Sequence, residues 1–211
     1  MILKANQDVQ KFYDQIAEAY ARELFHELEG KPFDQIILRA FASRSEGSFV
    51  DFSCGPGQTT RFLKDCGVND IVGVDISAGM IFNARKLNPD IRFEHGNLLA
   101  LSYPSEHFNH ALCFYGIVHF DTSELRIALS EVYRVLKHDG HFLFSFHVGV
   151  EAKHYDELFG HSVDIDFQFF EKMEVVDLCI EAGFKVIDVL ERNPYVGLEH
   201  PSQRAYIQVK K

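Results

Sequence analysis

Two acidic residues and a run of small residues between them carry the chemistry this chain can do. Asp51 sits inside the apolar run Phe49-Val50-Asp51-Phe52, and Asp75 ends the run Ile71-Val72-Gly73-Val74. Between them Ser53-Cys54-Gly55-Pro56-Gly57 turns the chain, and Gln58-Thr59-Thr60 opens a helical pattern. Gly55 and Gly57 allow the backbone close to a ligand, because no Cβ stands in the way. The helix start beyond them offers unpaired N–H groups to an anionic group. A carboxylate ending the second strand, Asp75, can accept hydrogen bonds from both hydroxyls of a ribose. The pattern is strand, glycine turn, helix, strand, acid, which is that of a nucleotide-binding βαβ unit. Two histidines lie further on, His119 after the fourth strand and His147 at the end of the fifth. An imidazole with an ordinary pKa near 6.5 suits proton removal at neutrality. A histidine that caps a strand or bonds a carbonyl is the competing reading for His119.

The spacing narrows the nucleotide. A dinucleotide site wants G-x-G-x-x-G/A, and the frame from Gly55 places the branched Thr60 where the last small residue belongs. A P-loop needs Gly-Lys-Ser/Thr at the helix start, and no lysine precedes Lys64 in this helix.

Hydrophobic periodicity supplies the elements that would hold these groups. Val9, Phe12, Tyr13, Ile16, Tyr20 and Leu24 predict a helix over 8–29 ending at Gly30, and Phe33, Ile36, Ile37, Ala40 and Phe41 write a second after Pro32. Ser77 predicts the N-cap of a helix that stops at Asn88-Pro89, and a short strand follows from Ile91 to His95. Phe108 to Tyr115 reads as the fourth strand. Asp121 and Glu124 form a capping-box start for the helix through Leu136. Asp139-Gly140 reads as a turn, and strand five as His141 to Val148. Residues 149–170, rich in His, Asp and Phe without clean periodicity, are expected to form a loop or short helix over the site. Glu171 to Ala182 predicts the last helix. Phe184–Glu191 and Arg204–Lys210, with no helix between them, must pair antiparallel.

In register, these residues resemble the class I S-adenosylmethionine-dependent methyltransferases. Asp51, Gly55 and Gly57 match the family's first motif, acid-x-Gly-x-Gly-x-Gly, with Ser53 in place of its first glycine. Asp75 stands at the family's ribose-binding acid. Gly96-Asn97-Leu98 stands where the family has Gly-Asp and an apolar residue that meet the adenine, Asn97 offering an amide oxygen instead of the acid. Tyr13-Asp14 with Tyr20 resembles a YD…Y pattern that folds over the cofactor, although both tyrosines also read as amphipathic core-edge residues. The passage EVYRVLKHDGHFLFSF resembles the family's helix-to-strand passage. The Ile117-Val118-His119 and Phe146-His147-Val148-Gly149 stretches, with the chain ending, resemble a small bacterial subgroup of unassigned substrate.

The resemblance implies a doubly wound α/β fold: a mostly parallel seven-stranded sheet, helices on both faces and an antiparallel C-terminal strand. It divides one domain into a helical lid (1–45), a cofactor-binding core (46–148) and a cap with closing strands (149–211). S-adenosyl-L-methionine is the implied cofactor and S-adenosyl-L-homocysteine the product. Beyond the residues already named, the implied cofactor contacts are Ser53, Cys54, Gln58 and Thr59 on the turn, Ile76 and Met80 after the second strand, and Phe114 and Tyr115 at the end of the fourth. Tyr115, His119 and His147 would line the acceptor pocket, with His119 the candidate base.

Composition sets the surroundings. The 211 residues suit one domain, and a net charge of −10 argues against a broad nucleic-acid or anionic-membrane footprint. The four cysteines show no C-x-x-C pair or zinc spacing, and read as reduced, as in a cytoplasmic protein. His107/His110 and His138/His141 read as surface histidines, not metal ligands. No apolar run approaches the roughly 18 residues of a membrane span. A small-molecule acceptor fits this picture best. A cofactor-binding protein without catalysis is the alternative that Ser53 and Asn97 motivate, and a nicotinamide-dependent oxidoreductase is the one that Thr60 speaks against.

Overall fold

The computed structural model describes residues 2–43 and 46–211, with 2–6 described by backbone alone. Seven strands form one sheet: β1 (Phe49–Phe52), β2 (Ile71–Asp75), β3 (Arg92–His95), β4 (Phe108–Phe114), β5 (Leu136–His147), β8 (Lys185–Arg192) and β9 (Arg204–Lys210). Their order is β3-β2-β1-β4-β5-β9-β8. β9 lies between β5 and β8 and runs antiparallel to both, while the pairings from β3 through β5 are parallel. The order reverses between β1 and β4, so the crevice for a ligand opens beyond their carboxyl ends.

The sheet is covered on both faces, as its continuously apolar strands require. Val50 and Phe52 point to the face packed by Leu125, Leu129 and Val132 of α5 (Thr122–Val135) and Val175 of α6 (Lys172–Glu181). Phe49 and Leu112 point to the other, against Leu38 of α2 (Pro32–Ala42), Leu63 of α3 (Gln58–Asp65) and Ile81 of α4 (Ala78–Leu87). The predicted caps form as read. Ser77 Oγ accepts from Met80 N–H at 3.0 Å, and Asp121 and Glu124 bond each other's backbone N–H.

Four expectations need correction. The first helix, α1, spans Ile2–Leu24, and a separate 3-10 turn, Glu27–Gly30, follows it. Strand five begins at Leu136, so the Asp139-Gly140 turn is absorbed as a bend within β5, with Asp139 at φ 63°. Residues 149–170 form neither loop nor helix but an antiparallel hairpin, β6 (Lys153–Leu158) and β7 (His161–Phe167). Finally, His110 is buried, not on the surface, stacked 5.7 Å from the Phe49 ring and 5.9 Å from His141. Burial, and then the neighbouring His141, pushes its pKa down to about 4.

Gly57 is the N-cap of α3 with φ 86°. A Cβ there would stand 2.7 Å from the Phe93 ring and 2.9 Å from Asn88 Nδ2. The position serves tight packing of turn against sheet, and it does not border the cavity described below. Gly57→Ala is expected to cost about 2–4 kcal/mol, from left-handed strain plus overpacking. A urea-unfolding midpoint equal to that of the unchanged protein would contradict this.

Candidate active site

The glycine turn after β1 is folded by its own acid. Asp75 Oδ2 accepts the Gly55 N–H at 2.8 Å and Oδ1 the Ser77 N–H at 2.9 Å. Burial raises the Asp75 carboxyl, and these two N–H groups pull it back towards ionisation. One carboxylate therefore fixes both the turn and the start of α4, and it borders the cavity together with Gly55 and Ile76. Ser53 and Tyr115 both border this cavity, both left-handed at φ 53° and φ 55°. Non-glycine residues held there are over-determined by their surroundings, a feature that clusters at binding sites.

Asp51, on the cavity floor, accepts the Thr60 hydroxyl at 2.6 Å. Burial, relieved in part by Thr60 and reinforced by Asp75, carries its pKa up to about 7. Thr60 therefore replaces a small residue with a hydroxyl that supports this acid.

All the sequence-predicted cofactor residues except Gly57 border this one cavity: Tyr13 and Tyr20 from α1, Asp51 of β1, Ser53, Cys54, Gly55, Gln58 and Thr59 after it, Asp75, Ile76 and Met80, Asn97 and Leu98, and Phe114 with Tyr115. Asn97 Oδ1 accepts the Leu99 N–H at 2.8 Å, so that oxygen is already engaged in a local turn. Sequence reasoning missed Glu27, Lys31 and Asp34, which also border it. Their signal was faint: Glu27 and Lys31 are four apart, and Lys31 Nζ donates to Glu27 Oε2 at 2.5 Å. Gln58 Nε2 reaches Glu27 Oε1 at 3.3 Å, while the buried Gln58 Oε1 has no hydrogen-bond partner.

The first helix is pinned to α4 by Asp14. Its Oδ1 accepts Ser77 Oγ at 2.6 Å and the Gly79 N–H at 2.9 Å, so an acid from α1 completes the N-terminus of α4. The neighbouring Tyr13 then points the other way and donates its hydroxyl to His119 Nε2 at 2.8 Å. His119 Nδ1 meets the Asp166 carbonyl of β7 at 3.0 Å, and because a carbonyl only accepts, that nitrogen carries the proton. Burial drives the His119 pKa down to about 4 despite this bond, so the ring is neutral at pH 7. Burial, and next the Asp75 charge, raise the Tyr13 phenol well above its ordinary range.

A second cavity shares Tyr13, Tyr20, Glu27, Lys31 and Tyr115 with the first. His147 borders only this second one, its Nδ1 2.8 Å from Ser202 Oγ. Behind Tyr115 lies a buried polar chain: Tyr115 Oη meets Tyr206 Oη at 3.1 Å, and Tyr206 donates to Asp34, which also accepts from Arg192 at 3.1 Å. Among the described residues, no group of three or more His, Cys, Asp or Glu is arranged to hold a metal, and no helix is long and apolar enough to cross a membrane.

A strand-order reversal and a glycine turn held by an acid define a doubly wound α/β domain with a cavity at its switch point. Residues 49–140 match the family described as a methyltransferase domain. YcgJ, an uncharacterized methyltransferase of Bacillus subtilis (strain 168), is 31% identical over 131 residues, 60% of this chain and 51% of that protein. A Thermotoga maritima S-adenosylmethionine-dependent methyltransferase, described as a possible histamine N-methyltransferase, shares the fold with a TM-score of 0.69. It covers 96% of this chain and 99% of that one at 20% identity. The [4+2]-cyclase SpnF shares it with a TM-score of 0.76, covering 98% and 96% at 16% identity. The chain spans about half the length of the curated relatives it matches. These findings show a methyltransferase-domain match over residues 49–140 and a fold shared with S-adenosylmethionine-dependent methyltransferases.

Proposed function

We propose that this protein moves the methyl group of S-adenosylmethionine to a small organic acceptor seated in the second cavity, with S-adenosylhomocysteine as product. The observation that carries the reading is that two cavities, one built for a nucleoside and one walled by aromatic rings, meet at Tyr13, Tyr20 and Tyr115. The residues of the first cavity fit the cofactor. Asp75 would hold the ribose hydroxyls. The unpartnered Gln58 Oε1 and the Glu27 carboxylate suit an ammonium group, and Lys31 suits a carboxylate. When bound, the cofactor supplies a sulfonium methyl for in-line displacement.

The protein's own part is orientation, exclusion of water and removal of a proton from an acceptor that carries one. His119 is the proton acceptor in this reading, reached through Tyr13. The phenol oxygen takes the acceptor's proton as the phenol proton passes to Nε2, along the 2.8 Å bond already made. Residues 1–45 act as the lid and 149–211 as the cap.

The test is incubation with methyl-labelled S-adenosylmethionine and a broad panel of small acceptors, read by mass spectrometry. A product heavier by the labelled methyl is expected. Binding of S-adenosylhomocysteine with no methylated product across the panel would instead support a catalytically silent cofactor-binding protein.

A further inference from the structure

We propose that the second cavity takes a compact aromatic carboxylate, its carboxylate on Arg204 and its ring among the aromatic side chains of lid and hairpin. The inference rests on reading the first cavity as the cofactor site, and it adds the acceptor's chemical class. The cavity's body is apolar: Phe12 and Ile16 of α1 line it together with Tyr155, Phe159, Phe167 and Phe169. Such walls favour a flat ring over a sugar or a polyamine.

At the end bordered by Arg204, His147 and His200, the polarity changes. Arg204 is only 2% exposed, yet its Nε has no hydrogen-bond partner. Its Nη1 donates to the backbone carbonyls of His200 and Ser202. The nearest acid, Glu199, is ion-paired with it, but its Oε1 stands 3.6 Å from Nε, too far for a hydrogen bond. That carboxylate is already engaged, accepting from Arg192 Nη1 and Nη2 at 2.7 and 2.8 Å and from the Tyr195 N–H at 2.8 Å. Burial opposes its ionisation, but Arg192, the Tyr195 N–H, Arg204 and Lys31 hold it down at about 2. A buried guanidinium with a spare donor, bordering a cavity, is a site for a charge-assisted hydrogen bond to an anion.

Two histidines, His147 and His200, border the cavity beside it. The His147 pKa is pushed to about 3, first by burial and then by Arg204, His200 and Lys31, with Glu199 a weaker opposing influence. His200 is lowered by burial, then by Lys153 and Arg204. Both rings are therefore neutral at pH 7, which leaves Arg204 and Lys31 as the cations bordering this cavity. Lys31 is engaged by Glu27 and borders both cavities, whereas Arg204 borders only the second. The carboxylate thus lies away from the cofactor, and the methyl-accepting atom lies at the ring's other end, near Tyr13.

The test is calorimetric titration, with and without S-adenosylhomocysteine, of hydroxy- and amino-substituted benzoates and phenylacetates, each paired with its primary amide. At least one acid is expected to bind saturably and about tenfold or more tighter than its amide, with affinity falling as salt rises. Arg204→Gln should erase the acid's advantage, and Arg204→Lys should retain part of it. If Arg204→Gln does not fold, the acid–amide contrast in the unchanged protein decides alone. Amides binding as tightly as acids, or no member of either series binding, overturns the proposal. S-adenosylhomocysteine binding without acid binding removes this inference alone. Acid-selective binding by a protein that ignores S-adenosylhomocysteine removes the cofactor reading and leaves the acid site.

Discussion

Asp75→Ala is expected to weaken S-adenosylhomocysteine binding by about 100-fold and to lower the stability of the unliganded protein. Two losses add. The ribose loses a charged acceptor, on the order of 1.5–3 kcal/mol for hydrogen bonds to a charged group. The Gly55 and Ser77 N–H groups, bonded at 2.8 and 2.9 Å, lose their shared partner, so the turn is no longer held in its binding shape. Burial of the carboxylate is itself unfavourable, which offsets part of the stability cost and keeps it near 1–3 kcal/mol. Asp75→Asn separates the two effects. An amide oxygen can still serve one N–H, but its NH2 faces the other N–H with nothing to accept. Asparagine should therefore rescue stability in part and affinity much less. Calorimetry and urea unfolding of both variants check this, and full affinity in Asp75→Ala would mean that the ribose lies elsewhere.

His119→Ala is expected to cut turnover by about 100-fold, the usual worth of a positioned base, with cofactor affinity within a factor of about two. The imidazole touches the lid through Tyr13 and the hairpin through the Asp166 carbonyl, and it does not form the ribose or turn contacts. The pH dependence follows from its depressed pKa. A ring that titrates at about 4 stays neutral, and able to accept a proton, from pH 7 down to about 5. The acid limb of kcat/KM should therefore fall near pH 4 and not near 6.5. Stability carries the same signature. The unfolded chain protonates this histidine near 6.5 and the folded one near 4, so its contribution is complete above 6.5 and fades as pH drops towards 4. His147, with a pKa of about 3, acts in the same direction, and Asp51, raised to about 7, acts in the opposite one over its own range. A wild-type rate in His119→Ala would leave the ring a purely structural link between lid and hairpin.

The central sheet was readable because its strands are short apolar runs closed by glycine, acid and capping residues. Nothing else fits Phe49–Phe52, Ile71–Asp75 and the turn between them. The hairpin β6–β7 escaped for a local reason. Its register shifts between Tyr155 and Glu157, so the inward Tyr155 and Leu158 lose strict alternation, and Asp and Glu occupy outward positions that β-propensity disfavours. Strand five looked shorter than it is because Lys137 to Gly140 has turn composition, and the sheet accommodates it by a left-handed Asp139. His110 looked like a surface residue because its burial comes from stacking on Phe49 of the neighbouring strand, a tertiary contact with no trace in spacing. In the site, the acid and glycine positions were legible and the charges were not. Lys31, Asp34, Arg192, Glu199 and Arg204 come from chain ends that meet only after folding.

The most direct measurement is a crystal structure of the protein soaked with S-adenosylhomocysteine. The account predicts the ribose hydroxyls within hydrogen-bond distance of Asp75 and the amino-acid end among Gln58, Glu27 and Lys31. Density for the ligand outside this cavity, or none at saturating concentration, would contradict it.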